Sequence, residues 1–164
     1  MTMASQSQTA VKKPISPNGT GSDYVTVRLA GQLAGIPVMA VHDVLSPQKI
    51  TFIPRAPEAV AGVLNLRGRI VTAIDVRQRL GLPAREAGAQ AMSVVIEHHG
   101  EPYSLQIDSV GEVLRLSEEN YERNPVSLDP RWQSVSSGIY KLEKELMVVL
   151  DVERLLDFTV AAAA

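Results

Sequence analysis

A pattern that occurs twice constrains this chain more than anything else in it. The first copy is Gly62-Val63-Leu64-Asn65-Leu66-Arg67-Gly68-Arg69-Ile70-Val71-Thr72-Ala73-Ile74-Asp75-Val76-Arg77, and the second runs from Gly138 to Glu153. Glycines align at 62 and 138, apolar residues at 63/139, 66/142, 70/146, 74/150 and 76/152, and aspartates at 75 and 151. Positions kept in both copies are those a shared fold demands. The polar tip is not kept: Asn65, Arg67 and Gly68 become Lys141, Glu143 and Lys144. Residues special to one copy are candidates for function.

The repeat extends outward from these blocks. Residues 24–29 alternate as a strand does, Ala30-Gly31-Gln32 suits a hairpin turn, and 33–37 form the return strand. Residues 38–44 fit either a strand or a short helix. A strand is expected over 49–53, ended by Pro54, and Pro57 opens a single helical turn. Strands follow at 63–66 and 70–74, with a tight turn at Arg67-Gly68. Asp75 then caps a short helix through Leu80, which Gly81 and Pro83 stop. Residues 81–91 are small, polar and Pro/Gly-punctuated, as in a linker. The order then restarts: strand 93–97, turn His98-His99-Gly100-Glu101, strand 103–107, and Val110-Gly111-Glu112-Val113-Leu114 echoing Val41-His42-Asp43-Val44-Leu45. Strand 146–150 and a helix capped by Asp151 close the second half. Residues 115–135 have no counterpart and read as a long connection.

Short strands at close spacing predict an all-β fold. Each half, about 23–80 and 92–158, holds roughly 60 residues, too few to bury much core alone. Two small β-barrels packed against each other solve that problem, with short helices that include a C-terminal one. Apolar residues make up 45% of the chain and aromatics 4%, so aliphatic side chains must fill the core. The net charge of −2 gives no global attraction to nucleic acid, and few aromatics are available to stack on single strands. The absence of cysteine excludes disulfides and thiolate chemistry and suits a cytoplasmic setting. Residues 1–22 read as a disordered tail and 159–164 as a second tail. No apolar run approaches the ~20 residues that span a bilayer, so direct membrane insertion is not expected.

Catalysis has no visible carrier. No nucleophile elbow, phosphate loop or dinucleotide fingerprint occurs. His98 and His99 fall in a turn, with no cysteine or carboxylate cluster in sequence to complete a metal-ligand set. His42 and Asp43 are strand neighbours and should point to opposite faces. Asp75 and Asp151 read as helix caps rather than a catalytic pair. Trp132 reads as a loop anchor onto the core. Arg67, Arg69, Arg77 and Arg79 form either an anion site or a salt-bridged face. Arg67 sits at a turn tip where core packing does not require it. Its guanidinium suits the carbonyls or carboxylates of a partner, or an internal pair with Asp75 or Glu58.

The block from Gly62 to Arg77 resembles the G-V-x-N-L-R-G-x-I-x-P-V-x-D-L-R signature of CheW-like chemotaxis coupling domains. Ala34-Gly35-Ile36, Val41-His42-Asp43-Val44, Ile107 to Leu114 and Val149 to Leu156 match further family motifs in the same order. The resemblance covers about 23–158. It implies two SH3-like barrels, no cofactor and no catalytic residue. It also implies two partners, the regulatory domain of a CheA-type histidine kinase and the cytoplasmic tip of a methyl-accepting chemoreceptor. Because nothing is fused to the module in this sequence, the free adaptor is the form implied.

Carried over by position, receptor contact falls on Val41, Asp43, Gly62, Arg67 and Val113, with Arg67 as polar anchor. Val41 and Val113 would be apolar groove walls, and Gly62 a point of close backbone approach. Kinase contact falls on Val44, Leu45, Ile50 and Thr51. Thr72 replaces the family's usual proline, Asp43 its glutamate, Pro37 a common aspartate and Ala34 a frequent aromatic. An adaptor serving pili or a second-messenger pathway, or a barrel that binds nucleic acid or another anion, are the alternative readings.

Overall fold

The computed structural model describes residues 21–157. The strands are β1 (Gly21–Leu29), β2 (Gln32–Pro37), β3 (Val41–Leu45), β4 (Val60–Leu66), β5 (Arg69–Asp75), β6 (Met92–His98), β7 (Glu101–Ile107), β8 (Ser109–Ser117), β9 (Tyr121–Glu122), β10 (Ser136–Lys141) and β11 (Leu146–Leu150). Three short helices join them: α1 (Val76–Leu80), α2 (Pro130–Gln133) and α3 (Val152–Leu155). The readings of both tails lie largely outside the described residues. Gly21 and Ser22, assigned to the N-terminal tail from sequence, instead open β1 and pair with Ser117 and Leu116 of β8.

Two sheets result. One is six-stranded in the order β8-β1-β2-β11-β10-β9, and the other five-stranded in the order β3-β6-β7-β5-β4. The orders match position by position: an edge strand, an antiparallel hairpin, a parallel contact, then a second hairpin. In the first sheet the parallel contact is β2 with β11, and in the second it is β7 with β5. The sequence repeat is therefore a structural repeat.

The sheets are not the sequence halves, however. The hairpin β1–β2 of the first half joins β8, β10 and β11 of the second, and β6–β7 joins β3, β4 and β5. The two halves have exchanged their opening hairpins. The division at 23–80 and 92–158 thus marks where the pattern restarts, not where one barrel ends. Hydrophobic periodicity specifies which face of a strand is buried, but not which neighbour it pairs with.

The exchange places the main core between the sheets. Val25, Val27, Leu29, Ala34 and Ile36 of the first sheet pack in one cluster with Ile74, Val94, Ile96, Leu105 and Ile107 of the second. Trp132 and Leu155 join the same cluster, so Trp132 anchors onto the core as expected, from α2 rather than from a loop. Each fully buried aliphatic side chain contributes about 1.5–3 kcal/mol relative to exposure, and most of that gain is shared by both sheets. Smaller clusters fill each barrel: Tyr24, Leu114, Tyr140 and Met147 in the first, Leu64, Val71 and Ala73 in the second.

Local chemistry explains the joints. The turns at Ala30-Gly31, Arg67-Gly68 and His99-Gly100 carry positive φ at both central residues, the conformation whose twist matches a two-residue hairpin. Asp75 caps α1 by accepting from the amides of Arg77 and Gln78, and Asp151 caps α3 through Arg154. Both aspartates are therefore occupied by the backbone.

Gly62 and Gly138 are kept for one reason. A Cβ on Gly62 would lie 2.1 Å from the carbonyl oxygen of Thr51, and one on Gly138 would lie 2.3 Å from the Tyr121 ring. At both points a further segment pairs alongside: Thr51 bridges Val63, and β9 pairs with Ile139 and Tyr140.

Two expected elements differ. The strand over 49–53 reduces to the single Thr51–Val63 bridge, because Pro47 and Pro54 confine the segment between them. The 115–135 connection is partly regular, since β8 runs to Ser117 and β9 and α2 follow. The ambiguous 38–44 segment resolves into a 3₁₀ turn Val38–Ala40 followed by β3.

Candidate functional site

Among the described residues, β3 and β4 form the two edges of the five-stranded sheet, with a seam rather than strand pairing between them. The β4–β5 turn carries Arg67 across this seam, where its guanidinium lies 3.1 Å from a carboxylate oxygen of Asp43 on β3. The other Asp43 oxygen accepts the backbone N–H of Val44 at 2.9 Å. That bond holds the carboxylate in place for the arginine. Asn65 accepts the N–H of Gly68 at 2.9 Å and so pins the turn. The Arg67 side chain remains 76% exposed. Most of its donors are therefore available to an incoming molecule.

Below the pair lies a groove of about 190 Å³ lined by His42, Asp43, Leu66, Arg67, Val95 and Pro102, among others. The expectation that His42 and Asp43 point to opposite faces fails here. The β3–β6 register shifts between Val41 and Asp43, and such a bulge re-aims the extra residue. His42 consequently lies 3.0 Å from Glu97 at the same groove. Asp43, rather than Asp75 or Glu58, is the internal partner of Arg67.

The receptor-contact residues inferred from sequence are thus partly assembled. Arg67 and Asp43 meet directly, and Val41 lies two residues away, half-buried against the main core. Gly62 is buried beneath Thr51, so the close backbone approach it permits is internal to the chain. Val113 is 58% exposed on β8, in the other sheet. It pairs with Val25 and matches Val44 in the repeat.

The residues expected from sequence to contact the kinase divide as well. Val44 is exposed, while Leu45 and Ile50 are half-buried. Thr51 presents its side chain outward but commits its backbone to Val63. Sequence reasoning missed their neighbours Phe52 and Ile53, and also Ile70, all of which are exposed. The expected strand over 49–53 hid the first two, because alternation would have buried one of any adjacent pair.

Of the arginines grouped with Arg67 in the sequence, Arg69 is exposed and lines the same groove, whereas Arg77 and Arg79 are engaged inside the fold. Arg77 donates from two nitrogens to Asp108, at 3.0 and 2.6 Å. Arg85 donates to the same carboxylate at 3.0 Å, and the amide of Ala30 does so at 2.8 Å. Burial opposes ionisation of Asp108, but the bonds from Arg77 and Ala30 and the charges of Arg77 and Arg85 prevail, holding its carboxyl below the usual range. Arg79 donates to the carbonyls of Leu155 and Arg154. Arg77 and Arg79 therefore join elements of the fold rather than line an anion site.

Paired barrels with a common core, presenting a loop-borne guanidinium and exposed apolar side chains, define a protein-interaction module. The chain belongs to the CheW-like domain family, whose model matches residues 23–159. It is 24% identical to a probable chemotaxis protein CheW of Rhizobium etli, over 91% of this chain and 96% of that one. It is 28% identical to chemotaxis protein CheW of Helicobacter pylori, over 74% and 73% of the two chains. The crystal structure of the scaffolding protein TtCheW from Thermoanaerobacter tengcongensis superposes with a TM-score of 0.75 at 28% identity. That likeness covers 84% of this chain and 94% of TtCheW. Among the described residues no helix is long and apolar enough to cross a membrane.

Proposed function

We propose that this protein is a non-catalytic adaptor of bacterial chemotaxis, coupling the cytoplasmic tips of transmembrane chemoreceptors to a CheA-type histidine kinase. It acts in the cytoplasm and is recruited to receptor arrays at the membrane. Its effect on the kinase is a coupling free energy, set by which partner geometry it holds, and involves no chemical step of its own.

The observation that carries this reading is the Arg67–Asp43 pair on the seam of the five-stranded barrel. A guanidinium that is fixed by one carboxylate yet largely open to solvent is suited to carbonyls and carboxylates on a helical partner. Asp43 and Val41 complete the receptor face beside it, and Val113 marks a second, apolar wall on the other sheet. The kinase face comprises Val44, Leu45, Ile50 and Thr51, with Phe52 and Ile53 as the exposed apolar residues that continue it. Aromatic and aliphatic side chains of this kind form the buried centres of protein interfaces.

Arg67→Glu tests the reading. Pull-down by a receptor tip should fall at least tenfold, whereas kinase binding and the circular dichroism spectrum persist. Undiminished receptor binding would remove Arg67 from that interface.

A further inference from the structure

The two structural repeats fasten the opening hairpin of one half to the helix of a neighbouring unit, but they do so with different chemistry. In one, the turn residue Ala30 donates its N–H to Asp108, which also holds Arg77 of α1 and Arg85. The equivalent place in the other repeat has His99 for Ala30 and Glu153 for Arg77. Met39 stands in the place of Asp108 and is 93% exposed, so the carboxylate that anchors the first junction has no counterpart at that position. His98 and His99 instead lie with ring centroids 4.0 Å apart. Nε2 of His99 is 3.5 Å from a carboxylate oxygen of Glu153.

We propose that this second junction is a site for a divalent transition-metal ion, of which zinc is the class example. One ligand atom from each of His98, His99 and Glu153 lies within 4.8 Å of the others. Metal–nitrogen and metal–oxygen bonds of ~2.0–2.2 Å place ligands of one ion somewhat closer, and rotation of these side chains closes the difference. The positive φ of His99 brings the adjacent rings together at the turn, where an ordinary strand would send them to opposite faces. Glu101 and Asp157 line the same cleft, with Tyr103 and Leu156. Three carboxylates against two imidazoles give the site an excess of negative charge when the histidines are neutral, the state in which they ligate. Imidazole with carboxylate suits zinc, nickel or copper better than magnesium.

The ion would tie the β6–β7 turn of the five-stranded sheet to α3, which follows β11 of the six-stranded sheet. It would do there what the Arg77–Asp108 pair does at the other junction. The sequence hid the site because its carboxylate lies in a helix far along the chain from the two histidines.

Calorimetric titration of the untagged full-length chain with zinc chloride and nickel chloride tests this. Saturable binding of one ion per chain is expected, with a zinc-dependent rise in the thermal unfolding midpoint and no response to magnesium. Glu153→Gln and His99→Ala should each weaken binding by about tenfold or more and abolish the rise, with unchanged circular dichroism. His42→Ala should bind as the parent does, and nickel should broaden the ring-proton resonances of His98 and His99 but not those of His42. Absence of saturable binding would overturn the site. So would full affinity in Glu153→Gln, which would indicate an incidental pair of histidines, or loss of binding in His42→Ala.

Discussion

The turn between β4 and β5 and its counterpart between β10 and β11 occupy equivalent places in the two sheets, yet one reaches outward and the other is tied back. Arg67 and Gly68 adopt left-handed backbone at the first tip, and Arg67 keeps one internal partner while presenting the rest of its head group. At the second tip, Glu145 receives both terminal nitrogens of Arg28 on β1, at 2.7 and 2.6 Å, and Lys141 lies 3.5 Å from Glu122. The strands beneath share register, cap and glycine. A duplicated scaffold has thus kept what folding needs in both copies and left the first tip open to solvent, the arrangement that the proposed recognition role requires.

If that division is right, substitutions at shared scaffold positions must cost far more than those at the divergent tips. Gly62→Ala should destabilise most, by more than about 3 kcal/mol, because φ of 149° and a backbone oxygen 2.1 Å from the new Cβ act together. Gly138→Ala meets the Tyr121 ring and the carbonyl of Glu122 at 2.7 Å without the positive φ, and should cost less. Urea denaturation midpoints give the ranking. Equal losses would mean that the two glycines are constrained by space alone.

Asp108→Asn comes next, at about 2 kcal/mol for the charge-assisted bonds it weakens. Met39→Ala at the equivalent joint should stay within about 0.5 kcal/mol. The pH dependence has a definite sign. Because the folded carboxyl of Asp108 is held below its usual value of about 3.9, its stabilisation is complete above that value. It is lost as pH falls from there through the lowered folded value. Asparagine should flatten this acid limb. An unaltered limb would place the acid sensitivity elsewhere.

The smallest effects belong to the tips. Arg67→Ala and Arg28→Ala remove exposed ion pairs and should each change stability by no more than about 1 kcal/mol. Only the former should weaken capture by a receptor fragment. A loss of capture in Arg28→Ala of the same size would extend the recognition surface to the second tip and break the comparison.

Much of this was legible in the amino-acid order, for local reasons. Two-residue turns, period-two strands and aspartate caps are written within a few residues of where they act. The repeat blocks, Asp75, Asp151 and the Arg67-Gly68 turn accordingly fall where the pattern places them. What escaped depends on pairing between distant segments. The hairpin exchange escaped because alternation does not name a partner strand. The bulge at His42 is visible only once β6 lies beside β3. The four bonds that converge on Asp108 come from a turn, a helix and the 81–91 segment, none of which signals the others. For the same reason the place of Arg67 in the repeat leaves recognition and an internal pair both open, and only the structure brings it against Asp43.

The exchange of hairpins also has a consequence for how the chain is made. As translation proceeds from the N-terminus, β1 and β2 leave the ribosome long before β8, β10 and β11 exist to receive them. The β3–β5 segment likewise waits for β6 and β7. Neither barrel can be completed from the first half of the polypeptide, so an early hairpin must persist with unsatisfied edges until the last strands emerge. Folding to completion is thereby postponed until β11 has been synthesised.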